Sequence, residues 1–152
     1  MPYVEILAPR ASESNKRKVV DAVTGGIVQA FGVAPSTVTI YFVAIADGDY
    51  AHEGRLGAPA ADARVFTKVH AYRRSADERR AAAMAMTTAI AACFGTAPDN
   101  VAVYFLDRER DEVAHAGQLS SDEEPQSAIT SGDAPGRPKQ ASAAVRSTKV
   151  QQ

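Results

Sequence analysis

The chain has 152 residues, of which 45% are hydrophobic and 23% charged, with a net charge of −1; that suits one soluble domain, or two small units sharing a core. So small a charge excludes a strong field for nucleic acid or an anionic membrane, and an acidic ligand would have to be met by local cations. The single cysteine excludes an internal disulfide framework, Met1-Pro2-Tyr3-Val4-Glu5 lacks the basic and apolar regions of a signal peptide, no run is long enough to span a bilayer, and a cytoplasmic protein is expected.

Pro2 stands before the first predicted strand, Tyr3 to Leu7. A helix follows, with Val19, Val20, Val23, Ile27 and Phe31 at helical spacing. Gly32 suits its C-cap, and Pro35 bars continuation. Gly25-Gly26 inside this helix costs about 1 kcal/mol per glycine relative to alanine, which close helix packing would explain. A hydrophobic strand then runs from about Val38 to Ile45.

From Val65 the same order returns: a strand to Ala71, a helix opened by Ser75-Ala76-Asp77-Glu78 with capping-box spacing, and a strand from Val101 to Leu106. Ala83, Met86, Ile90 and Phe94 mark the second helix, with Gly95 and Pro98 beyond it. The two passages are copies. Ala30-Phe31-Gly32-Val33-Ala34-Pro35 recurs as Cys93-Phe94-Gly95-Thr96-Ala97-Pro98, and the same 63-residue offset sets Arg10 on Arg73, Tyr41 on Tyr104 and His52 on His115 without a gap. The predicted organisation is a first unit at 2–63, a second unit of the same domain at 64–119, and a disordered Ser-, Ala-, Pro- and Gln-rich tail at 120–152.

Each unit reads as strand, helix, strand, whose two strands must be parallel with a right-handed crossover. Two units side by side predict an α+β fold: a four-stranded sheet with both helices on one face. In Val38–Ile45 and Val101–Leu106 both alternating sets are mainly apolar, so the sheet wants cover on its other face too. A second subunit is expected to supply it.

A duplicated βαβ unit behind Met-Pro resembles the tautomerase superfamily, in particular 4-oxalocrotonate tautomerase and its fused relatives. The residues that carry the resemblance are Pro2, Arg74-Ser75 at the second helix, the hydrophobic strand after Gly-x-Ala-Pro, and Tyr50-Ala51-His52-Glu53-Gly54. It covers residues 2 to 119. In layout it is nearest to cis-3-chloroacrylic acid dehalogenase, with malonate semialdehyde decarboxylase also similar. The resemblance implies a tautomerase/MIF-like fold, a homotrimer, a small carboxylate substrate and no cofactor. It implies catalysis by the secondary amine of Pro2, exposed when Met1 is removed, acting as the base in keto–enol tautomerisation of a small 2-oxo or 2-hydroxydienoate acid.

Carboxylate grips are sought in Arg73 and Arg74, whose guanidinium forks beside a helix start suit an anion, and secondarily in Arg10. Tyr104 falls on the dehalogenase's site tyrosine, though Tyr41 holds the same place in the first unit. His115 falls on its water-activating glutamate and offers an imidazole as a second acid or base. The small tautomerase's strand arginine is replaced by Thr39 and Ala102, and the dehalogenase's helix histidine by Ile27. Two alternatives therefore stay open: a Pro2-dependent hydratase, dehalogenase or decarboxylase of small unsaturated acids, and a non-enzymatic oligomeric binding protein. Cys93 reads as a core thiol. Arg79, Arg80 and the run Asp107–Glu112 read as solvated charge. His52, His70 and His115 lack metal-ligand spacing.

Overall fold

The computed structural model describes residues 2–57, 59 and 62–123. The expected tail beyond 123, like Met1, lies outside the described residues. Strand β1 (Tyr3–Ala8) leads to helix α1 (Glu13–Phe31) and strand β2 (Thr39–Ala44). A small hairpin, β3 (Ala51–His52) and β4 (Arg55–Leu56), closes the first unit. The second repeats it as β5 (Val65–Tyr72), α2 (Ala76–Phe94), β6 (Val101–Arg108), β7 (Ala114–His115) and β8 (Gln118–Leu119).

Both helices start and stop where their side chains dictate. Ser12 Oγ accepts from Asn15 N, and Ser75 with Glu78 forms the full reciprocal capping box. Hydrogen bonds from Ser75 hold the Glu78 carboxyl below the usual carboxylate range. Gly32 and Gly95 end the helices in the left-handed conformation, at φ of 63° and 66°.

The sheet order is β2-β1-β5-β6. β1 runs parallel to β2, and β5 to β6, while β1 and β5 meet antiparallel in the centre, with Tyr3 opposite His70 and Leu7 opposite Phe66. The two units are thus related by a pseudo-two-fold axis through the sheet. Val4, Ile6, Val65 and Val69 point from the central strands to the helices, where they pack with Val19, Val23, Ile27, Met86 and Ile90. Cys93 is buried there too, and burial pushes its thiol up. α1 and α2 cross so closely that a Cβ on Gly26 would stand 2.8 Å from Ala85 Cβ, whereas Gly25 faces open space. Only the second glycine of the pair is explained by packing.

The other sheet face carries no helix. Tyr41, Val43 and Tyr104 are exposed on it, together with the Tyr3–Tyr41 and Phe66–Tyr104 ring pairs. The two short hairpins were not foreseen. Each turns on two residues with positive φ, Glu53-Gly54 and Ala116-Gly117, the requirement of a two-residue type I′ turn.

Candidate active site

Because β5 runs against β1, its end brings the start of α2 to the same end of the sheet as Pro2. Pro2 is buried, and its carbonyl accepts from Thr39 N at 3.3 Å. Continuing the register from Tyr3 and His70 brings it level with Ala71. Its nitrogen is the group of interest, and what surrounds this end of the sheet decides what that group can do.

Beside it, on the helix-free face, lies a cleft of ≈ 450 Å³ walled by Tyr3, His70, Tyr72, Arg108 and His115 among others. Pro2 does not line the cleft; its neighbour Tyr3 does. The Tyr3 ring stacks on His70 with centroids 4.2 Å apart and planes 4° apart. His70 is 8% exposed, and burial, the largest cause, lowers its pKa; Glu5 opposes this, while Arg108 and Lys68 add to it. His115 enters from β7, a strand placed by the turn before it. That turn is held by Arg110, which donates to the Ser120 carbonyl and sits over the Tyr72 ring.

Of the two arginines at the α2 start, Arg74 is the better buried. Its guanidinium carbon lies 5.0 Å from the centre of the Phe31 ring, its nearest carboxylate contact is Glu78 at 3.9 Å, and its Nε is buried with no hydrogen-bond partner. Arg73 is largely exposed, 3.6 Å from Asp107. The helix start itself is a weaker anion site than its sequence suggests, because Glu78 already accepts from Ser75 N at 2.7 Å. Arg10 is exposed beyond β1, at the far end from Pro2.

Tyr104 is not brought to Pro2 within one chain. It stands level with Lys68 and Glu5, two strands across and three residues along, a separation of ~14 Å from sheet spacings. Its ring rests on Phe66.

Two expectations are corrected. Arg79 is not solvated basic charge: it donates twice to Asp107, at 2.7 and 2.9 Å, with both side chains about one-third exposed. Nor are Asp107 and Arg108 simply solvated charge. Both belong to β6, whose alternation sends Asp107 to the helix side, where arginines neutralise it, and Arg108 to the cleft. A run of alternating charge hides a strand end when successive charges go to opposite faces of the sheet. Sequence reasoning passed over Arg108 for this reason, and over His70 because it stands singly in β5.

Among the described residues no group of three His, Cys, Asp or Glu side chains is placed to hold a metal ion. No helix among the described residues is long and apolar enough to cross a membrane.

No family model and no curated protein matches this sequence, but solved structures match its shape. A fused 4-OT, an asymmetric trimer, superposes with a TM-score of 0.71 at 18% identity, covering 78% of this chain and 96% of that one. The protein Pt0534, inactivated by 2-oxo-3-pentynoate, gives 0.70 at 21% identity over 78% and 96%. A malonate semialdehyde decarboxylase, with decarboxylase and hydratase activities, gives 0.63 at 19% over 78% and 94%. The chain shares the α+β fold of these structures.

Proposed function

We propose that this chain is a cofactor-independent tautomerase in which Pro2, freed by removal of Met1, shuttles a proton between the oxygen and carbon ends of a small 2-oxo or 2-hydroxydienoate carboxylate. The observation that carries the reading is the position of Pro2: buried at the head of a central strand, beside an open cleft whose wall carries Arg108, His70 and His115. The amine takes the enol proton and returns it to carbon, and burial of the ring favours the neutral base that this requires. Arg74 holds the substrate carboxylate, its buried Nε lacking any partner in the protein. Arg73, exposed and already near Asp107, has the lesser part.

The bare sheet face supports a homotrimer, and the fused 4-OT of like fold is a trimer. In such an assembly Tyr104 would serve a neighbouring chain's site, since it lies far from Pro2 of its own. His115 in the cleft wall supports a second reading, addition of water across an unsaturated acid with His115 orienting the water. Turnover of a haloacrylic or acetylenic acid would favour it.

The first test is intact mass, followed by reaction with 2-oxo-3-pentynoate. Loss of Met1 and a single adduct on Pro2, together with a fall in phenylenolpyruvate ketonisation of at least ~100-fold in Pro2→Ala, are the expected results. Retained Met1, or an unlabelled Pro2 with unchanged turnover in the variant, overturns the reading.

A further inference from the structure

Among the described residues no strand pairs with the outer edges of β2 and β6, and no element covers the helix-free face. A ring of three sheets removes both exposures at once, since each edge meets another edge and the bare faces turn inward. Such a ring is the homotrimer proposed above, and a chain with a pseudo-two-fold axis can build it in two ways. Where all three chains run the same way round, every contact sets the β2 edge of one copy beside the β6 edge of the next. Where one chain is turned over about its own axis, one contact joins β2 to β2 and another joins β6 to β6. The halves repeat the same elements, so side chains must choose between the two rings.

The two half-faces differ in charge. Glu5 is the only charged residue of β1 and β2, and it stands on the bare face, between Val4 and Ile6, which point to the helices. On β5 and β6 the bare face carries Lys68 and Arg108 and no acid, because Asp107 is turned to the helix side and held by Arg79. Glu5 and Lys68 are opposite each other in the two central strands, so closing the ring brings these two closest to its axis. In the same-way ring, acid and base alternate around the axis, and each Glu5 lies between its own Lys68 and that of the next copy. In the other ring, one contact turns two Glu5 half-faces together and another turns two Lys68 half-faces together. A water-poor interior screens such repulsions little.

We infer that the bare sheet face is a head-to-tail interface, in which the acidic β2-β1 half of one chain packs beside the basic β5-β6 half of a second copy, so that the trimer is cyclically symmetric. The three Pro2 positions are then equivalent, each with the same neighbouring half beside it. This rests on the homotrimer of the proposed function, and not on the chemistry of Pro2.

The experiment labels the full-length protein with 4-fluorophenylalanine, sizes it by sedimentation equilibrium and records its fluorine NMR spectrum. The chain has five phenylalanines, of which Phe66 lies on the bare face, stacked on Tyr104. A trimer giving five lines, one per residue, is expected. A trimer in which Phe66 gives two or three lines overturns the inference and leaves the homotrimer standing, whereas a monomer or dimer overturns both. The charges are tested by reversal. Glu5→Lys and Lys68→Glu should each raise the trimer's dissociation constant at least ~10-fold, as like charges facing across an interface do, with the far-ultraviolet circular dichroism unchanged. The double exchange should restore both the constant and the five lines. If a reversal does not fold, Glu5→Gln and Lys68→Gln replace it, and each should weaken the trimer in the same direction. Single variants that associate as tightly as wild type overturn the inference.

Discussion

Glu5 and Lys68 are the same position in the two copies of the repeat, and they pair with each other across β1 and β5, Oε2 to Nζ at 3.4 Å. The pseudo-two-fold axis passes between them. In an assembly of identical units this residue would face its own copy, and two like charges directly opposite in a sheet repel. Fusion of the units allowed one copy to become acid and the other base.

Either reversal alone, Glu5→Lys or Lys68→Glu, should therefore destabilise the protein, by about 0.5–1 kcal/mol for so partly exposed a pair. The double exchange should recover most of the loss, because the axis makes the two arrangements nearly equivalent. Denaturant midpoints of the four proteins check this; equal midpoints for single and double variants would show that the pair carries no coupling.

The Gly25-Gly26 pair separates two effects that its sequence merges. Gly26→Ala places a methyl group against Ala85 and should cost about 1–3 kcal/mol through forced separation of the helices. Gly25→Ala meets nothing and should gain up to about 1 kcal/mol. Adding Ala85→Gly to Gly26→Ala should return much of the loss. Thermal melts of the three variants provide the measurement.

Much of this fold was legible because duplication doubles every signal: capping serines, C-cap glycines and prolines recur at one offset, and strand ends fell within two residues of those expected. The two-residue strands of the hairpins are too short for alternation to register, so they were not. Pro2 was visible by position, whereas His70 and Arg108 were not, since each looks ordinary in its own stretch. The signal was in the comparison between copies, where Leu7 becomes His70 and Ile45 becomes Arg108 on strands otherwise alike. Tyr104 shows the reverse limit. Its place on a strand was plain, yet its distance from Pro2 depends on a sheet order that local pattern does not contain.

His70 should leave a mark on the pH dependence of stability. Its pKa is lowered in the folded protein, chiefly by burial, so below the unfolded value of about 6.5 the unfolded chain binds the proton first. Stability is then unaffected by this group above that pH and declines as pH falls through it toward the lower folded value. His70→Leu should flatten that part of the curve relative to wild type. Denaturant unfolding at pH 7.5, 6.5 and 5.5 tests the difference; parallel curves would mean that His70 titrates alike folded and unfolded.

Arg74 offers the sharpest separation between packing and binding at the proposed site. Its guanidinium lies over Phe31 and its Nε has no partner, so substitution removes a cation–π contact and a binding fork together. Phe31→Leu removes only the ring contact and keeps the arginine. If Arg74 grips the substrate carboxylate, Arg74→Gln should raise KM for a 2-hydroxydienoate by about 10–100-fold, the worth of a charge-assisted hydrogen bond, with a smaller change in kcat. Phe31→Leu should lower the melting temperature yet change KM much less. Equal KM values for Arg74→Gln and wild type would move the carboxylate grip elsewhere, whereas equal effects of the two substitutions would mean that Arg74 matters here through packing on Phe31.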